Sequence, residues 1–115
     1  MNIVSRDQPL KHYLWGDVCD GWNLVDTPGL SVKMERMPPH TAEKEHFHSH
    51  ARQFFFILKG EALFITEEGE QRVKTQQGLE IRPELRHRIV NPGEEELEFI
   101  LCSQPSTAGD RINCE

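Results

Sequence analysis

The hydrophobic residues fall in short runs that are rich in β-branched and aromatic side chains, and few windows show helical spacing. Turn dipeptides such as Asp20-Gly21, Pro28-Gly29 and Pro92-Gly93 separate these runs. Many short strands at such spacing favour an all-β sandwich or barrel over a fold with parallel crossovers. The pattern predicts strands at residues 12–15, 22–26, 30–37, 53–58, 62–66, 71–74, 78–81, 87–91 and 97–102.

Two of the predicted strands, 53–58 and 97–102, are apolar on both faces. Successive strand residues point to opposite faces, so Phe54 and Phe56 lie on the side away from Phe55. A strand that buries both faces must be covered on each side. An N-terminal strand or a second copy of the chain could cover the outer face, and we therefore expect a homodimer.

The chain has 115 residues, which fits a single domain large enough to bury a core. We expect the first ten residues and the segment 103–115 to pack loosely. The cysteines, Cys19, Cys102 and Cys114, are odd in number and form no CxxC pair, so we expect free thiols.

The charge balance excludes several classes of partner. The net charge is −6, from 13 Lys and Arg against 19 Asp and Glu, and no basic stripe is visible, so no nucleic-acid partner is expected. The first residues lack the order of a signal peptide, and no apolar run approaches the length of a membrane span. We expect a cytoplasmic protein with no membrane partner.

Histidines at alternating positions, His46, His48 and His50, share one face if the segment is extended. A further histidine, His87, follows in a predicted strand, where the ordinary alternative is a hydrogen-bonded core residue. Neutral imidazole is a ligand for iron, nickel, copper, zinc and, less well, manganese. A structural site would be closed by four strong ligands, often with cysteine, whereas three histidines leave room for water or substrate. The cluster thus predicts a reactive or ligand-binding metal.

These residues resemble the motifs of the cupin family. His46, His48, Gln53 and Gly60 match the first motif (HxH, four residues, an acidic position, six residues, Gly), and His87 with Asn91 matches the second. The resemblance implies a double-stranded β-helix, or jelly-roll, barrel that makes residues 1–115 one cupin domain. In that domain the conserved barrel covers about 30–102, the N-terminal strands lie within 10–28, and the C-terminal tail is 103–115.

The resemblance also implies a ligand set. Carried over residue by residue, a divalent transition metal (Fe, Mn, Ni or Zn) is held by His46, His48, Gln53 and His87. Gln53 stands where the family usually has glutamate, so its amide oxygen either coordinates the metal or bonds a metal-bound water. Other departures lie in the second motif, where Gln76 replaces a glycine, and Arg82 and Glu84 replace a proline and a glycine.

Further residues are candidates for the pocket. His50 is expected at the pocket edge, as a catalytic proton shuttle or as a solvent-exposed residue. One of the arginines near the motifs, among them Arg36, Arg52 and Arg82, could hold an anionic substrate. The predicted substrate-pocket residues are Phe55, Ile57, Phe64, Ile89 and Phe99.

Three functions fit this pattern. The first is a metal-dependent enzyme of dioxygenase, isomerase or lyase type that acts on a small organic molecule. The second is a non-catalytic module that binds a metal or small ligand, since fold does not settle function. The third is a dimeric barrel whose site has lost its chemistry. The sequence has no Gly-rich phosphate loop and no nucleophile elbow.

Overall fold

The computed structural model describes residues 1–114, and within this range the chain forms strands, turns and loops without a helix. Accordingly, no helix in this range has the length and apolar character needed to cross a membrane. The strands are β1 (Lys11–Trp15), β2 (Cys19–Asp26), β3 (Ser31–Met37), β4 (His46–His48), β5 (Arg52–Lys59), β6 (Glu61–Thr66), β7 (Gly69–Lys74), β8 (Gly78–Ile81), β9 (His87–Val90), β10 (Leu97–Gln104) and β11 (Arg111–Asn113).

The strands form two antiparallel sheets that face each other. One sheet has the order β1-β2-β3-β10-β5-β8 and the other has the order β11-β4-β9-β6-β7. Between them, the Phe55 ring lies edge-on to Phe64 with ring centroids 5.0 Å apart, and Phe99 lies beside it at 5.6 Å. The prediction of an all-β double-stranded β-helix is confirmed, because alternating apolar side chains from both sheets fill one shared core.

Every predicted run coincides with an observed strand, and the structure adds β4 and β11. β11 pairs with β4, so that Arg111 lies opposite His48 and Asn113 opposite His46. Residues 111–113 are thus attached to the sheet although their side chains are exposed, and Glu115 of the predicted tail lies outside the described residues. The three residues of this strand are mostly polar. The sequence therefore shows no hydrophobic alternation that would predict the pairing with β4.

The outer face of the six-stranded sheet is apolar around β5 and β10. Phe54 is paired with Cys102, Phe56 is paired with Ile100, and Phe54 remains 45% exposed. The N-terminal strand β1 extends the edge of the sheet beside β2 and does not cover this face. The segment before β1 reaches part of this face, where Arg6 lies 4.4 Å from the Trp22 ring centroid and pairs with Glu98 on β10 at 3.3 Å.

Candidate metal centre

Three buried histidines converge from two neighbouring strands. β4 carries His46 and His48, β9 carries His87, and His46 lies directly opposite His87 in the strand register. One ligand atom of each imidazole lies within 4.8 Å of the others. The side chains are shielded from solvent, with 3%, 5% and 0% of their residue surfaces exposed. The fold therefore brings together the three histidines that the sequence analysis selected.

Backbone carbonyls fix the orientation of two of these rings. His46 Nδ1 lies 2.9 Å from the Lys44 carbonyl oxygen, and His87 Nδ1 lies 2.8 Å from the Leu85 carbonyl oxygen. A carbonyl can only accept, so each Nδ1 carries the proton and each Nε2 keeps its lone pair free. This arrangement is typical of metal-binding histidines, whose second ring nitrogen donates to a carbonyl or carboxylate.

Unpartnered polar atoms at the site fit a bound cation. His87 Nε2, His48 Nδ1 and Gln53 Oε1 are buried and have no hydrogen-bond partner among the described residues. Buried polar atoms are nearly always paired, so a cluster of unpaired lone pairs requires an explanation. A divalent transition metal supplies one, because imidazole nitrogen and amide oxygen are donors that such ions accept.

Gln53 lies on β5 and is 4% exposed. Its Nε2 donates to Ser103 Oγ at 3.3 Å, which turns the amide so that Oε1 is the unpaired atom. The side chain of Ser103 therefore orients the neutral amide of Gln53, which stands where the cupin motif usually has an acidic residue.

The electrostatics of the site keep the imidazoles neutral. Burial, followed by repulsion from His87, lowers the pKa of His46 to about 3 and the pKa of His48 to about 4. Burial also lowers the pKa of His87. At neutral pH all three rings are therefore in the uncharged form that binds metals.

A cavity of about 400 Å³ opens beside the histidines. His46, His48 and Gln53 line it, together with Phe55 and Ile89 from the predicted set of pocket residues. The other predicted pocket residues lie in the core between the sheets and do not contact this cavity: Ile57, Phe64 and Phe99. Alternation along a strand predicts which face a side chain occupies, but it does not predict how far along the barrel the residue lies.

The cavity also contains charged residues that the sequence analysis did not select. Glu43 Oε2 lies 3.5 Å from Arg111 Nη1, and Glu43 Oε1 lies 3.9 Å from His46 Nδ1. Burial raises the pKa of Glu43 to about 8 although the positive charge of Arg111 opposes the shift. The remaining polar lining includes Tyr13, Lys33 and Glu35. No motif spacing marks these residues, because their approach depends on strand pairing.

His50 lies apart from this cavity. It is exposed and lines a separate surface cavity next to Asp110. The chain turns after His48, and this turn ends the alternation that would have placed His50 with the other rings. A catalytic role for His50 stays a prediction, and its position outside the cavity gives that role no support.

The arginines near the motifs form ion pairs outside the cavity. Arg36 binds Asp20 and Glu96. Arg52 pairs with Glu80 at 3.4 Å, and Arg82 pairs with Glu68 at 2.6 Å. Arg111, on β11, is the arginine that lines the cavity.

Sequence comparison places the chain in a known family. A model of the Cupin domain family matches residues 33–103, and the protein belongs to the cupin family. The chain is 31% identical over 78 residues to the protein named "Polyketide synthase CurC" of Streptomyces cyaneus. That match covers 67% of this chain and 47% of CurC, so the chain spans about half the length of this relative.

Solved structures share the fold at low sequence identity. KdgF from Halomonas sp. superimposes with a TM-score of 0.82 at 14% identity, over 94% of this chain and 98% of KdgF. The polyketide cyclase RemF from Streptomyces resistomycificus superimposes with a TM-score of 0.78 at 15% identity, over 92% of this chain and 80% of RemF. These similarities confirm the cupin barrel.

Proposed function

We propose that the protein is a metal-dependent enzyme that acts on a small organic molecule in the cavity. In this proposal, His46, His48 and His87 hold a divalent transition metal. The observation that carries the proposal is the buried, unpaired Nε2 of His87, which belongs to one cluster with His46 and His48, the two histidines that line an open cavity. An open cavity next to the ligands is the arrangement expected of a catalytic site, in contrast to a closed structural site.

Gln53 completes the proposed ligand set through its amide oxygen. Support comes from the hydrogen bond to Ser103, which leaves Oε1 buried and unpaired. Three imidazoles and an amide suit Fe, Mn, Ni or Zn, and the set carries no negative charge. When bound, such an ion supplies a Lewis acid for a carbonyl or enolate oxygen, or a binding site for O2.

We propose a carbonyl compound as the substrate and an isomerase-like or lyase-like reaction. The names of CurC and RemF, a polyketide synthase and a polyketide cyclase, support this class of substrate. The cavity supports it as well, because apolar side chains such as Phe55 and Ile89 lie beside the polar residues Lys33 and Arg111. Dioxygenase chemistry at the same site is the alternative within the enzyme class.

The proposal is tested by loading the protein separately with Fe(II), Mn, Ni and Zn and offering it 1,3-diketones, enols and hydroxyketones. Product formation is followed by NMR and O2 uptake by an electrode. We expect conversion that requires the metal and is lost in metal-free protein and in His87→Ala. Conversion accompanied by O2 uptake would assign the dioxygenase reaction. A fully metal-loaded protein without turnover would instead support the non-catalytic binding module.

We also propose that two copies associate through the outer face of the six-stranded sheet. The exposed ring of Phe54 and the neighbouring Phe56, Ile100 and Cys102 form an apolar surface that a second copy would cover. Sedimentation of the wild type beside Phe54→Asp tests this association. The cytoplasmic location and the lack of a nucleic-acid partner stay predictions from composition.

A further inference from the structure

Three neighbouring strands build a pair of polar side chains on the inner face of the six-stranded sheet. Tyr13 on β1 is paired with Gly21 on β2, and Gly21 is paired with Glu35 on β3. The Tyr13 ring crosses over Gly21, and its hydroxyl donates to Glu35 Oε2 at 2.5 Å. A Cβ atom at position 21 would lie 2.1 Å from Tyr13 Cζ, so this contact requires glycine there.

The pair faces the reaction space of the proposed enzyme. Tyr13 and Glu35 line the same cavity as His46, His48 and Gln53. Glu35 is 8% exposed. Among residues 1–114, the cluster of possible metal ligands consists of the three histidines, so Glu35 is available for another role.

The surroundings of Glu35 suit a group that exchanges protons. Burial raises the pKa of Glu35, although the Tyr13 hydrogen bond and the charges of Lys33 and Arg111 act in the opposite direction. Glu43 lies in the same interior, and repulsion from Glu35 contributes to its raised pKa. Burial, followed by the charge of Glu35, raises the pKa of Tyr13, so its hydroxyl keeps its proton. The carboxyl group, with its pKa raised above the ordinary range of a glutamate, is thus the member of the pair that can gain and lose a proton.

We propose that Glu35 is a catalytic proton-transfer residue for carbonyl substrates and that Tyr13 is its positioning residue. This inference rests on the proposed function and adds a base to it. The Glu35 carboxylate removes a proton from a carbon next to the substrate carbonyl. The C–H electron pair becomes the C=C bond of an enolate, and the carbonyl π pair moves to oxygen. The carboxyl proton can exchange with solvent, and donation of a proton from Glu35 back to a carbon atom restores the carboxylate, so the cycle needs no oxidant or reductant.

The first test follows deuterium incorporation from D2O into hydroxyacetone, cyclohexanone and α-tetralone by proton NMR, with zinc-loaded protein. We expect the wild type to accelerate the exchange and Glu35→Gln to slow it by about 10²–10⁴-fold, the usual range for general base catalysis. Tyr13→Phe should slow it by about tenfold, since one hydrogen bond to a charged group is lost. Gly21→Ala should have a similar effect because it displaces the Tyr13 ring.

Matched controls separate this role from general destabilisation. Gly29→Ala is the control for Gly21→Ala, because a Cβ at Gly29 has no neighbour within 4 Å. It should exchange at the wild-type rate. Equal exchange rates in the wild type and Glu35→Gln would overturn the proposal. A metal-loaded wild type that accelerates exchange into none of the three ketones would also overturn it.

A second readout needs neither metal nor turnover. The chain contains one tyrosine, so tyrosine labelled with ¹³C at Cζ gives a single NMR signal that reports the bond to Glu35. In metal-free protein we expect this signal to shift as Glu35 ionises, at a pH above the ordinary pKa range of a glutamate. In Glu35→Gln this shift should be absent. A signal that titrates identically in both proteins would contradict the pairing.

The two proposals fail differently. If the wild type binds no metal, the proposed metal-dependent function is wrong. In that case, exchange by metal-free protein that depends on Glu35 would still support the Glu35 proposal, and its absence would overturn it. If metal binds and exchange is unaffected by Glu35→Gln, the metal centre stands and the proton-transfer role is wrong.

Discussion

His46 and His87 face each other across the paired strands β4 and β9, with ring centroids 4.4 Å apart. Two imidazoles this close repel each other when both are protonated, and burial adds to the cost of each charge. His48 completes the group, with its ring centroid 6.0 Å from that of His87. The fold therefore holds three neutral bases together, an arrangement that a bound cation would stabilise.

The first prediction concerns acid stability of the metal-free protein. The pKa of His48 is about 4 in the folded chain, against about 6.5 when unfolded. Between these values the unfolded chain binds more protons, so the contribution of His48 to stability is complete above pH 6.5 and decreases as the pH falls towards 4. At pH 5 the loss is about 2 kcal/mol.

Urea unfolding at pH 7.5 and pH 5 measures this effect. Glu43 acts in the opposite sense, because burial raises its pKa to about 8 and its protonation favours the folded state as the pH falls. The change in the free energy of unfolding between pH 7.5 and pH 5 is therefore compared in the wild type and in His48→Gln. The difference between the two proteins is the contribution of His48. The exposed His40 provides the control variant His40→Gln. An equal pH dependence in the wild type and His48→Gln would contradict the prediction.

The second prediction concerns Gln53. Gln53→Glu places a carboxylate where an unpaired amide oxygen now lies, in the cavity that His46 and His48 line, and a charged oxygen attracts a divalent cation more strongly. Competition with a zinc chelator should show a metal affinity that is higher by about 10–100-fold. This is the size of the effect that residues hydrogen-bonded to metal ligands have on metal affinity. Gln71→Glu, at an exposed position of β7, should leave the affinity unchanged. Unchanged or weaker binding in Gln53→Glu would remove Gln53 from the proposed ligand set.

The third prediction concerns Asp110, which fixes the turn between β4 and β5. Its carboxylate accepts hydrogen bonds from the backbone N–H groups of Ser49, His50 and Ala51 at distances from 2.9 to 3.3 Å. Burial raises the pKa of Asp110, but the hydrogen bonds from these three N–H groups together lower it by more. The pKa of Asp110 therefore lies below its ordinary range. The carboxylate stays charged and keeps the turn in place at neutral pH.

Asp110→Ala should therefore lower the free energy of unfolding by about 1–2 kcal/mol, since N–H groups lose a charged acceptor in a partly exposed turn. It should also weaken metal binding, because the turn joins the strand of His48 to the strand of Gln53. Asp7→Ala, at an exposed site near the N-terminus, is the control. Wild-type stability and metal affinity in Asp110→Ala would show that the turn holds without this carboxylate.

The strands could be predicted from sequence because they depend on local order, whereas the grouping of His46 with His87 followed from the resemblance to the cupin motifs. Alternation along β5 separated the inner Phe55 from the outer Phe54, and motif spacing selected His46 and His87. The Tyr13–Glu35 contact could not be predicted in this way. It depends on the register of three strands and on the missing side chain of Gly21, neither of which leaves a periodic signal.

The fourth prediction concerns two positions where the family usually has glycine. Gln76 has φ = 68° and Glu84 has φ = 71°, so the backbone keeps the left-handed conformation that favours glycine. The cost for other residues is about 1–2 kcal/mol, and the greater freedom of glycine in the unfolded chain offsets part of it. Both side chains are exposed, so their removal uncovers no core.

Glu84→Gly should therefore raise the free energy of unfolding by about 0.5–1 kcal/mol, as measured by chemical denaturation. Glu80→Gly, within β8, is the control and should lower it, because glycine weakens a strand interior. A less stable Glu84→Gly would contradict the assignment of strain to this turn.

The most direct measurement of the central claim is the metal content of purified protein after anaerobic loading with excess metal. The proteins to compare are the wild type, His46→Ala, His87→Ala and His50→Ala. We predict about one equivalent of metal in the wild type and in His50→Ala, whose substituted ring lies outside the cavity, and strongly reduced metal in the other two. A wild type without stoichiometric metal, or His46→Ala and His87→Ala proteins that retain it, would contradict the proposed metal centre.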